Sequence, residues 1–333
     1  MKRKEFPIWA GIVLVGGIFG WFLMSSTGTK VSPLAGGPEN LKGTGLGKKL
    51  SENYYYNIDK YKQVDSKLIK YKETGSIKSN LAKVYGLSVS RDGAVAVCGE
   101  NGVEVFTGGK LKENIAVDGA VTCVNFGSNL IFGTKENAGI YSGGKTAWLF
   151  GKNAKALKLP ELKYVTAVLA ADGRFYVADS VAKKVYIFYE NGKEFKAVTG
   201  SPRFVIPSPH FDLAARDGFL YVTNPGMLRI DKFTLDGEFV ESLGTQGMGI
   251  KDFMGCCNPT NICVPGDGSI IVSEKGIPRV KRLTLKGELL DVVAAPSSFD
   301  EKCAFMSLGS DSNGRIYVLD SEKKAVRIFE KKK

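Results

Sequence analysis

From Val165 onward, short β-branched and aromatic runs are cut at regular intervals by turn residues. Val165-Thr-Ala-Val-Leu-Ala170 leads to Asp172-Gly173, and Arg174-Phe-Tyr-Val-Ala178 follows. A polar stretch over residues 179–184 separates these from Val185-Tyr-Ile-Phe188, and Asn191-Gly192 precedes a last run at 193–198. Apolar runs this short, bounded by Gly-containing turns, predict strands, with Asp-Gly as a hairpin turn. The same script recurs over 211–243, 261–293 and 305–329. Asp172-Gly173, Asp217-Gly218, Asp267-Gly268 and Asn313-Gly314 follow one another at intervals of 45, 50 and 46 residues. In the same phase lie a polar residue (Asp179, Asn224, Glu274, Asp320) and an apolar anchor (Phe188, Phe233, Leu283, Phe329). A period of this length means an array of one β unit.

Two shorter, degenerate copies, at 87–110 and 122–145, precede the regular ones. Six four-stranded units predict an all-β, six-bladed β-propeller. The last unit stops at Phe329 without a fourth strand, and an open edge invites pairing with other chains. A strand near residues 65–73 is therefore expected to pair with 326–329 and clasp the ring.

The stretches 172–193 and 313–329, with Asn/Asp-Gly-Arg, an aromatic-Val strand, Asp-Ser and a Val-x-Ile-Phe strand, resemble the NHL repeat. The resemblance covers roughly residues 64–329. It implies the propeller fold. Proteins of this kind bind proteins, bind nucleic acids or catalyse reactions, so the resemblance does not name a function. Some are lyases that hold zinc with several histidines at the channel mouth; this chain has one histidine, His210, which counts against that activity.

Residues 1–24 read as an N-terminal signal-anchor transmembrane helix, 25–53 as a flexible linker and 54–333 as the propeller. Met1-Lys-Arg-Lys-Glu5 is basic, and residues 6–24 then run without a charge, with Trp9 and Trp21 near the two ends. At about 1.5 Å per residue this run spans roughly 28 Å, close to a bilayer core. It is longer than the apolar region of a cleaved secretory signal, about 7–15 residues. The positive flank stays inside, which sends the propeller to the extracytoplasmic (periplasmic) side of an inner or plasma membrane. The segment 25–49 is rich in Gly, Ser, Pro and Lys and cannot bury enough surface to offset its ordering entropy.

A net charge of +12 changes the expected partners. It favours anionic ones, such as acidic glycans or proteins. Nucleic acid is disfavoured by the compartment. The six cysteines (98, 123, 256, 257, 263, 303) suit an oxidising compartment, where an even count predicts structural disulfides. Cys257 and Cys303 each lie ten residues before a unit's turn, hence at equivalent places before neighbouring innermost strands. On a propeller these places share a face with the links between second and third strands. Cys256, Cys257, Cys303 and His210 are thereby expected around one channel mouth with Glu274, Lys275 and Arg279. Of these, His210, Glu274, Lys275 and Arg279 are candidate ligand-binding residues. The three cysteines are the weaker candidates for holding a thiophilic metal. The in-phase polar series that includes Glu274 also has a purely structural reading, a repeated hydrogen bond.

No nucleophile elbow, Walker loop or H-E-x-x-H is present. The sequence thus points to a membrane-tethered binding or scaffold module acting through its channel mouth. The alternative is a thiol- or metal-dependent redox protein using Cys256, Cys257 and Cys303 in membrane electron transfer.

Overall fold

The computed structural model describes residues 59–127, 129–153, 161–189, 195–201, 203–303 and 305–333. The signal-anchor expected over 6–24 and the linker over 25–53 lie outside the described residues. Among those described, no helix is long and apolar enough to cross a membrane.

The described chain is all-β, and the regular units form as their turn chemistry demands. β8 (Val165–Ala171), β9 (Arg174–Asp179), β10 (Lys184–Tyr189) and β11 (Phe195–Val198) make one antiparallel sheet. β12 (Leu213–Arg216), β13 (Phe219–Asn224), β14 (Arg229–Thr234) and β15 (Phe239–Leu243) make the next. β16 (Asn261–Cys263), β17 (Ser269–Glu274), β18 (Arg279–Thr284) and β19 (Leu289–Ala294) make a third. At the first two hairpins both turn residues take positive φ, 50° and 68° at Asp172-Gly173 and 50° and 80° at Asp217-Gly218. Asp tolerates that region and Gly adopts it freely, so the turn twists with its strands.

Neighbouring sheets pack face to face and bury both sides of the middle strands. Every residue of β17 is buried. Leu169, Tyr176 and Ile187 of one sheet share a core with Leu213, Leu220 and Phe233 of the next. This is why the middle strands read as continuous apolar runs rather than alternating ones.

The expectation of six blades is corrected: the strands of the described residues form five sheets. The first two expected units are a single six-stranded sheet of β2 (Val84–Val89), β3 (Val95–Thr107), β4 (Lys110–Phe126), β5 (Leu130–Thr134), β6 (Asn137–Ser142) and β7 (Lys145–Gly151). β3 and β4 run for 13 and 17 residues. Where later units break at a polar stop, β3 passes through Asn101 (φ 66°) and Gly102 (φ 151°) as a ladder irregularity. Glu100 still pairs with Ala120, and Val121 already pairs with Thr134 of β5. β4 therefore belongs to both halves and fuses them.

The ring's last sheet orders β1 (Tyr71–Lys78) beside β22 (Ala325–Lys331), then β21 (Ile316–Asp320) and β20 (Leu308–Ser310). Tyr71 pairs with Lys331 and Ile77 with Val326. The pairing strand starts later than residues 65–73 because Ser66–Leu68 is a 3-10 turn, capped by Asp65, which accepts the Lys67 N–H at 2.9 Å. Glu73 anchors the ladder by an ion pair with Arg327 at 2.6 Å.

Candidate functional site

β2, β4, β8, β12, β16 and β20 wall an axial cavity of about 760 Å³. Asp212 stands in this bore just before β12. Its carboxylate accepts the backbone N–H groups of Leu213 (2.9 Å) and Ile262 (3.0 Å) and the side-chain amide of Asn261 (3.2 Å). Burial nevertheless pushes its pKa up to about 6, against those donors. A carboxyl raised on folding stabilises the protein fully below its ordinary pKa, and that contribution is lost as pH rises through the folded value. Asp212→Asn is therefore expected to flatten the stability curve between pH 4 and pH 7, by roughly 3 kcal/mol. Urea denaturation in half-unit pH steps measures this, and identical curves for both proteins would refute it.

At one end of the bore, Phe305 stacks on His210, with ring centroids 6.1 Å apart and planes at 21°. Burial, with help from the Lys275 charge, lowers the imidazole to about 4, so His210 is neutral at pH 7. Its Nδ1 is buried and has no hydrogen-bond partner among the described residues. Lys275 Nζ donates to Ser208 Oγ at 3.3 Å. The buried Asn258 fixes the Lys275 backbone: Oδ1 accepts its N–H at 2.9 Å, and Nδ2 donates to the Lys275 and Met254 carbonyls at 3.0 and 2.6 Å. This clamp ties the loop carrying Cys256 and Cys257 to the link between β17 and β18. The two sulfurs are 3.3 Å apart, with Cys256 exposed and Cys257 buried. Burial opposes a Cys257 thiolate, but Ser208, Cys256 and Lys275 outweigh it and lower its pKa. Its hydrogen bond to Cys257 raises Cys256.

The structure thus brings together His210, Lys275, Cys256 and Cys257, and it separates the other candidates from them. Glu274 and Arg279 are each only 1% exposed and form a buried ion pair, joined by Lys281 at 3.0 Å from Glu274. Arg279 and Lys281 donate to the Asp252 carbonyl at 3.2 and 2.7 Å, which holds the 249–253 loop. The rest of the in-phase series is structural in the same way. Asp179 accepts the N–H groups of Lys163 and Tyr164, and Asn224 accepts that of Val205, so each clamps the chain entering its own sheet. Cys303 is fully buried, its thiol pointing to the Phe305 carbonyl (3.7 Å) and Asp320 (4.0 Å).

Structural disulfides, expected from the even count, are corrected: all six cysteines are free. The 3.3 Å between Cys256 and Cys257 is far beyond the roughly 2.05 Å of a sulfur–sulfur bond. Among the described residues no group of three or more His, Cys, Asp or Glu could hold a metal ion, so Cys256 and Cys257 do not converge with Cys303 into a ligand set. Burial pushes Cys123 up to about 12 and Cys263 to about 11. Sequence reasoning missed Ser208, Asn258, Phe305 and Asp212. Asn258 and Asp212 lie three and one residues before an innermost strand, in the same entering segment as Cys257; that position is the signal available for them.

No protein-family model matches the sequence, and no curated protein matches it. The fold is similar to solved β-propellers. A streptogramin B lyase structure superposes with a TM-score of 0.55 at 14% identity, covering 79% of this chain and 98% of that one. The WD40 β-propeller domain of Doa1 gives 0.54 at 17% identity, covering 79% and 97%. A gluconolactonase from Xanthomonas campestris gives 0.57 at 13% identity, covering 78% and 99%. At these identities the likeness shows the propeller fold and none of the chemistry.

Proposed function

We propose that the protein is an extracytoplasmic binding module, held at a membrane by the uncharged run 6–24, whose channel mouth takes an anionic partner, a glycan or a protein. The observation that carries the reading is the mouth itself. The imidazole of His210 and the half-buried ammonium of Lys275 lie together beside Phe305, whose ring lines one end of the cavity. A neutral imidazole and an ammonium supply directional polar contacts to hydroxyl and carboxylate groups, and the aromatic face supplies apolar area. The net charge of +12 favours encounter with an anion. Membrane attachment rests on the sequence of residues 6–24 alone.

Titration calorimetry with an oligogalacturonate and its neutral counterpart tests this. The acidic chain is expected to bind more tightly, and Lys275→Ala to weaken it about tenfold, the scale of one charge-assisted contact. Equal affinities for the two chains, or no change in Lys275→Ala, would refute the glycan reading. A second reading, a thiol-dependent redox protein, is favoured by one observation, the contact between Cys256 and Cys257 beside Lys275.

A further inference from the structure

We propose that Cys256 and Cys257 form a dithiol modification site that exchanges with low-molecular-weight disulfides. The inference takes up the thiol reading and is independent of the glycan reading, because its test contains no glycan and measures no affinity.

Three features of the mouth carry it. The two sulfurs are in contact at 3.3 Å, one on an exposed residue and the other on a residue 5% exposed. An exposed thiol can meet an incoming disulfide, and its shielded neighbour is in reach to displace the first adduct. The loop that carries them is anchored by the three hydrogen bonds of Asn258, which holds Cys257 beside Lys275 and Ser208. The ammonium and the hydroxyl there stabilise negative charge on the inner sulfur, and the thiolate is the nucleophile in exchange. The remaining thiols are set apart from the pair. Cys98, Cys123 and Cys303 are buried and Cys263 is half-buried, and burial raises all four above the ordinary thiol value.

The exchange balances in two steps. Cys257, beside Lys275 and Ser208, first releases its proton to solvent; its thiolate then takes the Cys256 proton across the sulfur contact, and the Cys256 thiolate attacks one sulfur of R–S–S–R. A bond forms between Cys256 and S–R, the R–S–S–R bond breaks, and the departing thiolate takes a proton from water. Cys257 then loses its proton to solvent, and its thiolate, held by Lys275 and Ser208, attacks Cys256 Sγ. The Cys256–S–R bond breaks, the second thiolate leaves and is protonated, and Cys256 is joined to Cys257. The protein has given up two electrons and two protons, and the small disulfide has become two thiols. Cys256 is the residue attacked and attacking; Lys275 is a positioning residue.

Full-length protein incubated with glutathione disulfide near neutral pH, alkylated and analysed by peptide mass spectrometry tests the site. The peptide containing both residues is expected to lose two hydrogens, reversibly with a thiol reductant, while the other four cysteines stay alkylatable. Cys257→Ser is expected to stop at a stable glutathione adduct on Cys256, and Cys256→Ser to react at least tenfold more slowly. Lys275→Met is expected to move the pH profile of the closing step to higher pH, which a merely structural role would not do. A wild-type pair that stays reduced, that stops as the mixed disulfide, or that reacts no faster than the other four thiols would overturn the proposal; these readings need no variant to fold.

Discussion

Glu274→Ala is expected to lower the unfolding free energy by about 3–5 kcal/mol, the cost of leaving a buried charge without its partner. Glu274, Arg279 and Lys281 are 1%, 1% and 0% exposed. Two cations converge on one carboxylate, so its removal strands both. Arg279 keeps the Asp252 and Gly249 carbonyls, and Lys281 keeps those of Ile250 and Asp252 and the face of Phe253 at 4.5 Å. These neutral partners do not replace a counter-charge. Burial already lowers Lys281 to about 8, even with Glu274 present. The alanine variant is expected to lower it further, so that its amine neutralises below pH 8 and much of the loss relative to wild type is regained as pH rises to about 8. Chemical denaturation at pH 7 and pH 9.5 measures both effects. A loss below about 1 kcal/mol at pH 7 would mean that the cluster is hydrated and that Glu274 is free to act elsewhere. Glu274→Gln, which keeps an acceptor but not the charge, is expected to fall between wild type and alanine.

Removing β1 is expected to have the second large effect. A chain starting at residue 79 loses the buried Tyr71 and Ile77, each worth roughly 1.5–3 kcal/mol, and the whole β1–β22 ladder. Arg327 loses Glu73 and keeps Asp320 at 3.4 Å. The expected loss exceeds about 5 kcal/mol, a large part of the margin by which a domain is stable. It also uncovers β22 as a free edge, which templates aggregation. Size-exclusion chromatography and thermal unfolding check this: the truncated chain should run as aggregate or melt at least 10 °C lower, given a few degrees per kcal/mol in domains this large. A monomer with an unchanged midpoint would show that the ring closes without its clasp.

Much of the architecture was legible because turn chemistry and strand chemistry agree in the regular units. Asp172-Gly173 and Asp217-Gly218 specify their hairpins locally, and the β-branched and aromatic runs beside them match strands buried on two faces. The fused sheet was not legible. Nothing in Asn101-Gly102 or Asp118-Gly119 says whether the chain leaves the ladder or only bulges within it, and that outcome is set by pairing of Glu100 with Ala120 across the sheet. The mouth was partly legible. Topological equivalence placed Cys257 and His210 on one face with Lys275, but side-chain direction at a strand end is decided by packing. Glu274 and Arg279 are register partners at the end of β17 and β18 and turn inward together. Disulfides were predicted from cysteine parity, which carries no geometry; four of the six thiols stand on buried strands or beside buried carbonyls instead.

His210 is the only imidazole in the chain, so its ring signals in a proton–nitrogen NMR spectrum report on the channel mouth without assignment of the rest. Titrating full-length protein with an oligogalacturonate is the measurement to make. Binding at the mouth predicts that the imidazole resonances shift saturably with the calorimetric affinity, and that Lys275→Ala needs about tenfold more oligogalacturonate to reach half of the shift. Saturable binding that leaves those resonances unmoved would place the partner elsewhere and contradict the account.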